Sequence, residues 1–285
     1  MRCIVNIDRA INYSQKILKD ANIQNSNKEA KLIIGHVTKL SQAEILNSKK
    51  TLNNKQLKSI LSKINRRANG EPYAYITGQK HFYNISLFVN KNVLIPRPET
   101  EHVIESIINK IKNINDKYNI IDVGTGSGAI LCTLLTQLPN SYGLGTDIST
   151  KAIKVAYKNI KKLRIQNRCN LVTTKWAEAV NTNFFDILTC NPPYIDKKEL
   201  LTLSNEIIDH EPKIALDGGE KGMEAFDKML PSARACLKLK GKAFFEIGYN
   251  QTDKALLLLR NNNFKISRIY KDLAGINRVI FATAV

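Results

Sequence analysis

The sequence lacks several features that mark whole classes of proteins. Its five cysteines are scattered and form no C-x-x-C pair, so neither a disulfide framework nor a cysteine-based zinc site is indicated. No apolar run approaches the length that a membrane span requires. Residues 1–18 are interrupted by polar side chains and lack the apolar core of a secretory signal. These absences predict a protein of a reducing, cytoplasmic compartment, without a metal site and without a membrane partner.

Acidic residues are also scarce, since 25 Asp and Glu stand against 43 Lys and Arg and the net charge is +18. Such an excess can indicate a nucleic-acid or ribosomal partner. However, the basic residues are mostly lysines, and Asn and Ile are abundant too, as in proteins from AT-rich genomes. Phosphate-binding surfaces tend to use arginine, and no dense basic block interleaved with aromatics is present. The sequence therefore favours a compositional origin of the charge and predicts no stable nucleic-acid partner.

The chain does contain enough apolar residues, 43%, for one large globular domain or two smaller ones. Over residues 1 to about 70 the apolar positions recur at helical spacing. Asn27 is expected to cap the second helix, Ser41 the third, and Asn53 to begin the fourth, which ends at Asn69-Gly70. This segment has no cluster of titratable residues. We therefore predict a helical bundle that docks or recognises a partner.

A connector follows the predicted helical bundle. Residues 71–72, Glu-Pro, end the last helix. Residues 75–78 and 82–89 alternate and carry aromatics, which predicts a β-hairpin. Further on, Arg97 stands between two prolines ahead of another predicted helix. That segment is either a linker or, because prolines hold the charged side chain in place, the wall of a pocket.

From residue 118 onward, strand and helix patterns alternate, which predicts a doubly wound α/β domain with a mostly parallel sheet. One long helix, 222–239, is expected before the fifth strand. The fold class is thus α/β, with a seven-stranded Rossmann-like domain preceded by a small all-α bundle and a β-hairpin connector. The predicted strands are 119–123, 142–147, 171–173, 185–190, 242–248, 264–269 and 277–283.

A glycine-rich loop, Gly124-Thr125-Gly126-Ser127-Gly128, separates the first of these strands from a helix. Its glycines let the backbone approach a ligand closely. Asp147 ends the next strand, about twenty residues on, where an acid accepts hydrogen bonds from ribose hydroxyls. A nicotinamide dinucleotide site requires G-x-G-x-x-G. The spacing found here, with Asp122 on the preceding strand, fits S-adenosylmethionine better, since that cofactor carries no phosphate.

A second signal, Asn191-Pro192-Pro193-Tyr194, ends the strand 185–190. Asn-Pro alone is an ordinary turn signal. Here, however, the two prolines hold the Asn at the carboxyl end of a strand, which is the edge where α/β sheets bind ligands. The Asn191 side-chain oxygen and the Pro192 carbonyl can accept both hydrogens of one planar NH₂ group, on which Tyr194 can stack. We expect the strand that bears Asn191 to lie next to the glycine-loop strand, and this predicts methyl transfer to an amide or amine nitrogen without a basic side chain. The four histidines are expected to be surface or structural residues.

Longer motifs carry a family resemblance. The chain resembles the release factor glutamine methyltransferases (the HemK/PrmC family). Asn-Pro-Pro-Tyr is shared with DNA and RNA amino-methyltransferases, whereas Ile-Pro-Arg-Pro-Glu-Thr-Glu joined to it is far more specific. The matching segments are Glu71-Pro72-x-Ala74-Tyr75-Ile76-Thr77-Gly78, Val93-Leu94-Ile95-Pro96-Arg97-Pro98-Glu99-Thr100-Glu101, residues 121–130 and 191–195, Glu211-Pro212, Ala215-Leu216-x-Gly218-Gly219, Glu246-Ile247-Gly248, Asp272-Leu273-Ala274-Gly275 and Arg278-Val279.

The resemblance implies transfer of the methyl group of S-adenosyl-L-methionine to the side-chain amide nitrogen of a glutamine. That glutamine is the one in the Gly-Gly-Gln motif of class 1 peptide chain release factors. Catalysis and substrate binding would involve Asn191, Pro192 and Tyr194, with Pro193 also holding the substrate. One departure is Lys175, because family members often have an acid just before the tryptophan. The cofactor contacts that the resemblance implies are Gly124, Thr125, Gly126, Ser127, Gly128, Asp147, Trp176 and Asn191.

We therefore expect an N-terminal helical substrate-recognition domain (1–75), a β-hairpin linker (76–95) and an S-adenosylmethionine-dependent methyltransferase domain (96–285), acting as a cytoplasmic monomer on release factors. Two alternatives stay open. An amino-methyltransferase for an exocyclic base nitrogen of RNA or DNA is favoured by the charge and by Asn-Pro-Pro-Tyr. A catalytically silent protein that docks release factors or ribosomes is opposed by the intact glycine loop and Asn191.

Overall fold

The computed structural model describes residues 5–47 and 50–285. Two 3₁₀ turns, Pro98–Thr100 and Lys213–Ala215, accompany the helices and strands. The helices are α1 (Ile7–Asp20), α2 (Ser26–Thr38), α3 (Gln42–Leu46), α4 (Asn54–Ala68), α5 (Tyr73–Thr77), α6 (Glu101–Ile108), α7 (Ala129–Gln137), α8 (Thr150–Lys162), α9 (Lys197–Leu200), α10 (Asn205–His210), α11 (Glu224–Cys236) and α12 (Thr252–Asn261). The strands are β1 (Val5–Asn6), β2 (Thr51–Leu52), β3 (Gln79–Phe82), β4 (Ile85–Phe88), β5 (Asn119–Val123), β6 (Tyr142–Asp147), β7 (Cys169–Thr173), β8 (Phe185–Cys190), β9 (Leu237–Glu246), β10 (Phe264–Lys271) and β11 (Asn277–Ala284).

The chain divides into two compact units. The helical unit comprises Met1–Gly78 and Asn205–His210, and the sheet unit comprises Gln79–Ser204 and Glu211–Val285. Helix α10 thus groups with the helical unit although it comes much later in the sequence. The functional roles expected for the three sequence segments stay predictions.

The helical unit is built around one apolar cluster, because α1, α2 and α4 each turn an apolar face inward. Its helices begin largely as predicted. Ser41 and Glu44 form a capping box at α3, and Asn53 forms one with Gln56 at α4. Each such cap stabilises a helix by about 1 kcal/mol. The buried members of the apolar cluster are Ile7, Ala10, Ile11, Leu18, Ala30, Ile33, Ile34, Ile45, Leu52, Ile60 and Ile64.

The end of α4 is also as predicted. Gly70 has φ +84°, and its N–H bonds the carbonyl of Arg67 while the N–H of Glu71 bonds that of Arg66. This is the Schellman arrangement, which favours glycine because the left-handed conformation strains residues that carry a Cβ.

Two predictions for the helical unit are wrong. Helix α2 begins at Ser26 after Asn25, and Asn27 is not its cap, because the Asn27 side-chain NH₂ donates to Gln15 Oε1 at 2.7 Å. Residues 75–78 do not form a strand: Tyr75 lies within α5, which starts after Pro72. Ala74, Tyr75 and Ile76 are all buried. Three consecutive buried residues fit a helical turn that is packed on more than one face, and this packing overrides their β propensity. The predicted hairpin is instead made by β3 and β4.

The sheet unit contains a seven-stranded sheet in the order β10-β11-β9-β8-β5-β6-β7. Strands β9, β8, β5, β6 and β7 run parallel, and β11 is antiparallel to both β9 and β10. The predicted α/β class and mostly parallel sheet are confirmed. The chain adds β6 and β7 on one side of β5 and then returns to place β8 on the other side. This reversal opens a crevice at the carboxyl ends of β5 and β8, where open α/β sheets bind ligands.

Several element boundaries differ from the prediction. The expected helix 222–239 spans only Glu224–Cys236, and β9 begins at Leu237. Leu237 pairs with Phe185 of β8, and the alternation of leucine and lysine over residues 237–240 is a strand pattern that the predicted helix overran. Strand β7 likewise begins two residues before the predicted segment. Within the described ranges, no helix is long and apolar enough to cross a membrane.

Candidate functional site

The glycine loop and the Asn-Pro-Pro-Tyr segment meet at the crevice between β5 and β8. The two strands are parallel neighbours, with Val123 opposite Cys190. The loop follows Val123 directly and Asn191 follows Cys190, so both segments leave the same edge of the sheet. The prediction that the strand bearing Asn191 lies next to the glycine-loop strand is confirmed.

The glycines of the loop are needed for backbone conformation. Gly124, Gly126 and Gly128 have φ values of +74°, +56° and +80°. A Cβ at Gly124 or Gly126 would meet no atom within 4 Å, so these two residues leave backbone open to the cavity. At Gly128 a Cβ would lie 3.1 Å from the Cys132 sulfur, where the loop joins α7. The loop therefore combines a left-handed turn with an unobstructed surface.

A buried carboxyl group anchors this loop to the sheet. Asp122 on β5 is 1% exposed. Its oxygens accept hydrogen bonds from the hydroxyls of Thr125, at 2.6 Å, and Thr189 on β8, at 2.7 Å. Burial raises the pKa of Asp122 to about 6, against the lowering effect of these bonds. The carboxyl thus ties the loop to both strands at the crevice.

Asp147 supplies an acid at the edge of the cavity. One of its oxygens accepts a hydrogen bond from the Gly126 N–H at 2.9 Å, and the other accepts one from the Ser149 N–H at 2.8 Å. Burial raises the pKa of this carboxyl. Each carboxylate oxygen has a further acceptor position. Asp147 can therefore hold the loop and still bind ligand hydroxyls.

Trp176 lines the same cavity in an unusual conformation. Its φ is +49°, and its indole N–H is buried with no hydrogen-bond partner. Because this nitrogen is shielded from solvent while the cavity is open, a ligand in the cavity can contact the indole only through the rest of its ring. The neighbouring Lys175 is exposed and lies 3.8 Å from Glu178.

The Asn-Pro-Pro-Tyr segment is held rigidly. The Asn191 side-chain nitrogen donates to Thr100 Oγ1 at 3.1 Å. Gln251 donates to the Tyr194 carbonyl at 2.7 Å. A Cβ on Gly218 would lie 2.8 Å from the Tyr194 backbone, so a glycine is required there for the close approach of the two chains. The segment is pre-organised by backbone packing as well as by its prolines.

These parts enclose a cavity of about 400 Å³, a volume typical of small-molecule sites. Gly128 and Tyr194 do not line it, and neither does any of the four histidines, all of which lie in the described chain. No group of described His, Cys, Asp or Glu side chains is arranged as metal ligands would be. The predicted site residues that line the cavity are Gly124, Thr125, Gly126, Ser127, Asp147, Trp176, Asn191, Pro192 and Pro193.

Arg97 forms part of the cavity wall, as one of its two predicted roles requires. Its guanidinium donates to Glu211 Oε1 at 2.6 Å, and the N–H of Ile95 donates to Glu211 Oε2 at 3.0 Å. The Glu211 side chain is 2% exposed. An acid that is almost completely buried therefore fixes both the backbone and the charge of the segment between the prolines.

Sequence reasoning missed one residue that shapes the site. Asn159 of α8 is fully buried and donates to the Ser127 carbonyl at 2.8 Å and to the Phe88 carbonyl at 2.9 Å. It also accepts a bond from the Phe88 N–H. Asn159 thus braces the glycine loop against the hairpin strand β4. An asparagine on the apolar face of an amphipathic helix was the available signal.

Comparison with known proteins agrees with this architecture. The model described as the PrmC N-terminal domain matches residues 9–78, and that of the methyltransferase small domain matches residues 102–223. The catalytic domain of hMettl16, solved with an RNA hairpin, superposes with a TM-score of 0.55 at 16% identity, over 83% of this chain and 84% of that one. At that identity the likeness shows the fold alone.

Curated relatives extend over nearly the whole chain. A bifunctional methyltransferase of Rickettsia typhi is 36% identical over 96% of this chain. The chain spans about half the length of such bifunctional relatives, 56% in that case. A release factor glutamine methyltransferase of Caulobacter vibrioides is 35% identical, with 92% of this chain and 91% of that protein covered. The resemblance seen in the sequence is thereby confirmed, and the chain belongs to the family of release factor glutamine methyltransferases.

Proposed function

We propose that the protein transfers the methyl group of S-adenosyl-L-methionine to the side-chain amide nitrogen of the glutamine in the Gly-Gly-Gln motif of class 1 peptide chain release factors. The observation that carries the proposal is the meeting of the glycine loop and Asn191-Pro192-Pro193 in one cavity. Methylation of a release factor glutamine is supported by the names of the relatives from Caulobacter vibrioides and Coxiella burnetii, which are release factor glutamine methyltransferases.

The cavity fits the cofactor. When bound, S-adenosylmethionine supplies an electrophilic methyl group on a positively charged sulfur. Gly124 and Gly126 leave backbone open for its methionyl part, and Asp147 has acceptor positions for ribose hydroxyls. Trp176 lines the cavity and offers the surface of its indole to the adenine ring. Gly128, Thr125 and Ser127 complete the loop that holds these groups in place.

Asn191 and Pro192 are proposed to position the substrate nitrogen. The Asn191 side-chain oxygen and the Pro192 carbonyl accept the two hydrogens of the glutamine NH₂. An amide nitrogen is a weak nucleophile because its lone pair is delocalised. Two fixed acceptors favour electron density on nitrogen as the new bond forms, and alignment with the methyl group supplies much of the remaining rate. Tyr194 is predicted to stack on the amide, and Pro193 stiffens the segment.

No histidine lines the cavity, and none is needed. After transfer, the nitrogen carries a positive charge and is very acidic, so it loses its proton to water or to the nearby acceptors. The described residues of the helical unit are predicted to grip the release factor, and we expect the protein to act as a monomer.

A second function is favoured by one observation, the net charge of +18. An amino-methyltransferase that acts on an exocyclic base nitrogen of RNA or DNA needs the same NH₂ site and benefits from positive charge. Because Asn191 and Pro192 accept from any planar NH₂ group, the cavity alone does not distinguish glutamine from adenine.

Methyl transfer with labelled cofactor distinguishes these functions. Purified release factor, total tRNA, rRNA and DNA are offered in parallel, together with a release factor whose Gly-Gly-Gln glutamine is replaced. We expect label on the intact release factor and none on the replaced one. Label on nucleic acid alone would overturn the proposed substrate, and no label on any acceptor would favour a catalytically silent binding protein.

A further inference from the structure

Beside Asn191 lie two buried polar residues to which the resemblance assigns no role: Thr100, which lines the cavity, and Glu246, which does not. Thr100 ends the 3₁₀ turn before α6, and Glu246 ends β9. Thr100 is 4% exposed and Glu246 is 1% exposed. The side chains of Thr100 and Asn191 act on the Glu246 carboxyl group as hydrogen-bond donors and lower its pKa. Buried groups of this kind are costly unless hydrogen bonds compensate for the lost water.

We propose that Thr100 and Glu246 are positioning residues that hold the Asn191 side-chain amide with its oxygen, and not its nitrogen, turned toward the substrate. This inference rests on the proposed function, because it assumes an incoming NH₂ group at Asn191.

The first step of the argument concerns the Asn191 amide itself. Its nitrogen donates to Thr100 Oγ1 at 3.1 Å. A carboxamide is planar, with its oxygen and nitrogen pointing in different directions, so this bond leaves the oxygen for the cavity that Asn191 lines. The terminal torsion of an unsupported asparagine is broad and roughly two-fold. A flipped Asn191 would set N–H donors against the N–H donors of the substrate.

The second step concerns the hydroxyl of Thr100. A hydroxyl can donate as well as accept, so alone it would tolerate either orientation of Asn191. An ionised Glu246 carboxylate only accepts. When Thr100 donates its proton to Glu246, its lone pairs remain for the Asn191 N–H. The result is a one-way set of donors, in which the Asn191 nitrogen donates to Thr100 and also acts on Glu246, and Thr100 donates to Glu246.

The third step concerns the charge of Glu246. Burial raises its pKa to about 7, with a smaller upward contribution from Glu99, while Thr100, Arg278 and Asn191 lower it. The thiol of Cys190 and the phenol of Tyr194 also face this carboxyl, and both have pKa values raised by their own burial. One oxygen of Glu246 has no hydrogen-bond partner among the described residues. The carboxyl is therefore poised to ionise near neutral pH, and ionisation strengthens these hydrogen bonds.

The test measures kcat, the KM for the accepted substrate and the cofactor Kd in the full-length protein. Thr100→Val removes the hydroxyl at nearly constant shape, and we expect kcat to fall by about 10²-fold, the loss typical for a fixed polar group in an active site. Cofactor Kd should change less than about 2-fold, because the hydroxyl that is removed bonds the Asn191 side chain and the remaining methyl groups keep the shape of the wall. Thr100→Ser should restore most of kcat. As a matched control, Thr133→Val removes a buried hydroxyl that bonds Ala129 within α7, and should leave kcat within about 2-fold.

A pH series on a second variant, Glu246→Gln, tests the role of the carboxylate charge. Wild-type kcat should fall as the pH drops below about 7, where Glu246 takes up its proton, whereas Glu246→Gln should show no such inflection. A Thr100→Val protein with wild-type kcat, a Thr100→Ser protein as impaired as Thr100→Val, or an unchanged inflection in Glu246→Gln would each overturn the proposal.

The test of the positioning residues can fail independently of the test of the proposed substrate. If wild type methylates a base amine, the substrate is wrong, yet the same variants are measured on that amine and the positioning inference stands or falls independently. If wild type methylates nothing offered, both are overturned.

Discussion

The helical unit and the sheet unit bury different kinds of side chain. The helical unit has a uniformly apolar cluster, and its buried polar residues among those described are Ser14 and Arg67. The sheet unit buries acids, including Asp122, Glu211 and Glu246, all close to the cavity. An apolar core stabilises a fold by burial alone, whereas buried acids with raised pKa values, here Asp122 and Glu246, are typical of functional sites.

Arg67 is a buried charged residue of the helical unit, and acidic partners neutralise it. The guanidinium bonds Glu29 at 3.2 Å, Glu206 of α10 at 2.9 Å and the carbonyl of Glu71 at 3.3 Å. Every partner lies within the helical unit, and the group serves to attach α10. Buried charge there holds structure together, whereas in the sheet unit it surrounds a cavity.

The largest effect that separates the units is expected from Asn191→Ala. Removal of the acceptor at the substrate nitrogen should lower methyl transfer about 10²–10³-fold or more, while cofactor binding stays mostly intact. Single-turnover transfer of labelled methyl and calorimetric cofactor binding measure the two quantities. Asn261→Ala, an exposed change on α12, is the control. Full activity in the Asn191 variant would disprove the two-acceptor mechanism.

The next effect concerns stability in the helical unit. Arg67→Met leaves two carboxylates without a partner and should lower the free energy of unfolding by about 1–3 kcal/mol. Hydrogen exchange should show α10 losing protection first. Arg66→Met is a close control, because Arg66 pairs with Glu71 but its side chain is 43% exposed, so its loss should cost about 0–1 kcal/mol. Equal losses for the two variants would show that burial of Arg67 is unimportant.

A smaller effect is expected from Asn53→Ala, which removes the cap of α4. Denaturant unfolding should report a loss of about 1 kcal/mol, and the rate of methyl transfer per folded molecule should stay unchanged. Asn54→Ala, at the exposed first residue of α4, should cost less. A fall in kcat without a change in folded fraction would mean that the helical unit takes part in the chemistry.

The smallest effect is a pH dependence in the sheet unit. In the folded protein the pKa of Glu246 is about 7, well above its usual value, so the folded state binds this proton more tightly than the unfolded chain. The associated stability is complete at low pH and is lost as the pH rises through about 7. The Tm of Glu246→Gln relative to wild type should therefore be higher at pH 8 than at pH 5. Exposed Glu178→Gln controls for the change in charge, and a difference in Tm independent of pH would contradict the raised pKa.

Local chemistry explains most of what the sequence predicted correctly. The capping boxes at Ser41 and Asn53 depend on residues three positions apart, and the glycine loop and Asn-Pro-Pro-Tyr depend on steric rules within a few residues. The incorrect cap has a tertiary cause, because Asn27 bonds Gln15 of α1, a partner that no local pattern contains. The predicted helix that overran Leu237 is a local mistake, because the alternation of leucine and lysine over residues 237–240 is a strand pattern.

The sequence by itself determined that a glycine loop and a proline-stiffened asparagine each end a strand, because periodicity and restricted backbone angles are properties of short segments. Only the tertiary structure decided that Asn159 braces the glycine loop, and that Thr100 and Glu246 lie beside Asn191. Those contacts join residues far apart in the chain. They depend on how the sheet is ordered, which is set by the packing of the whole unit.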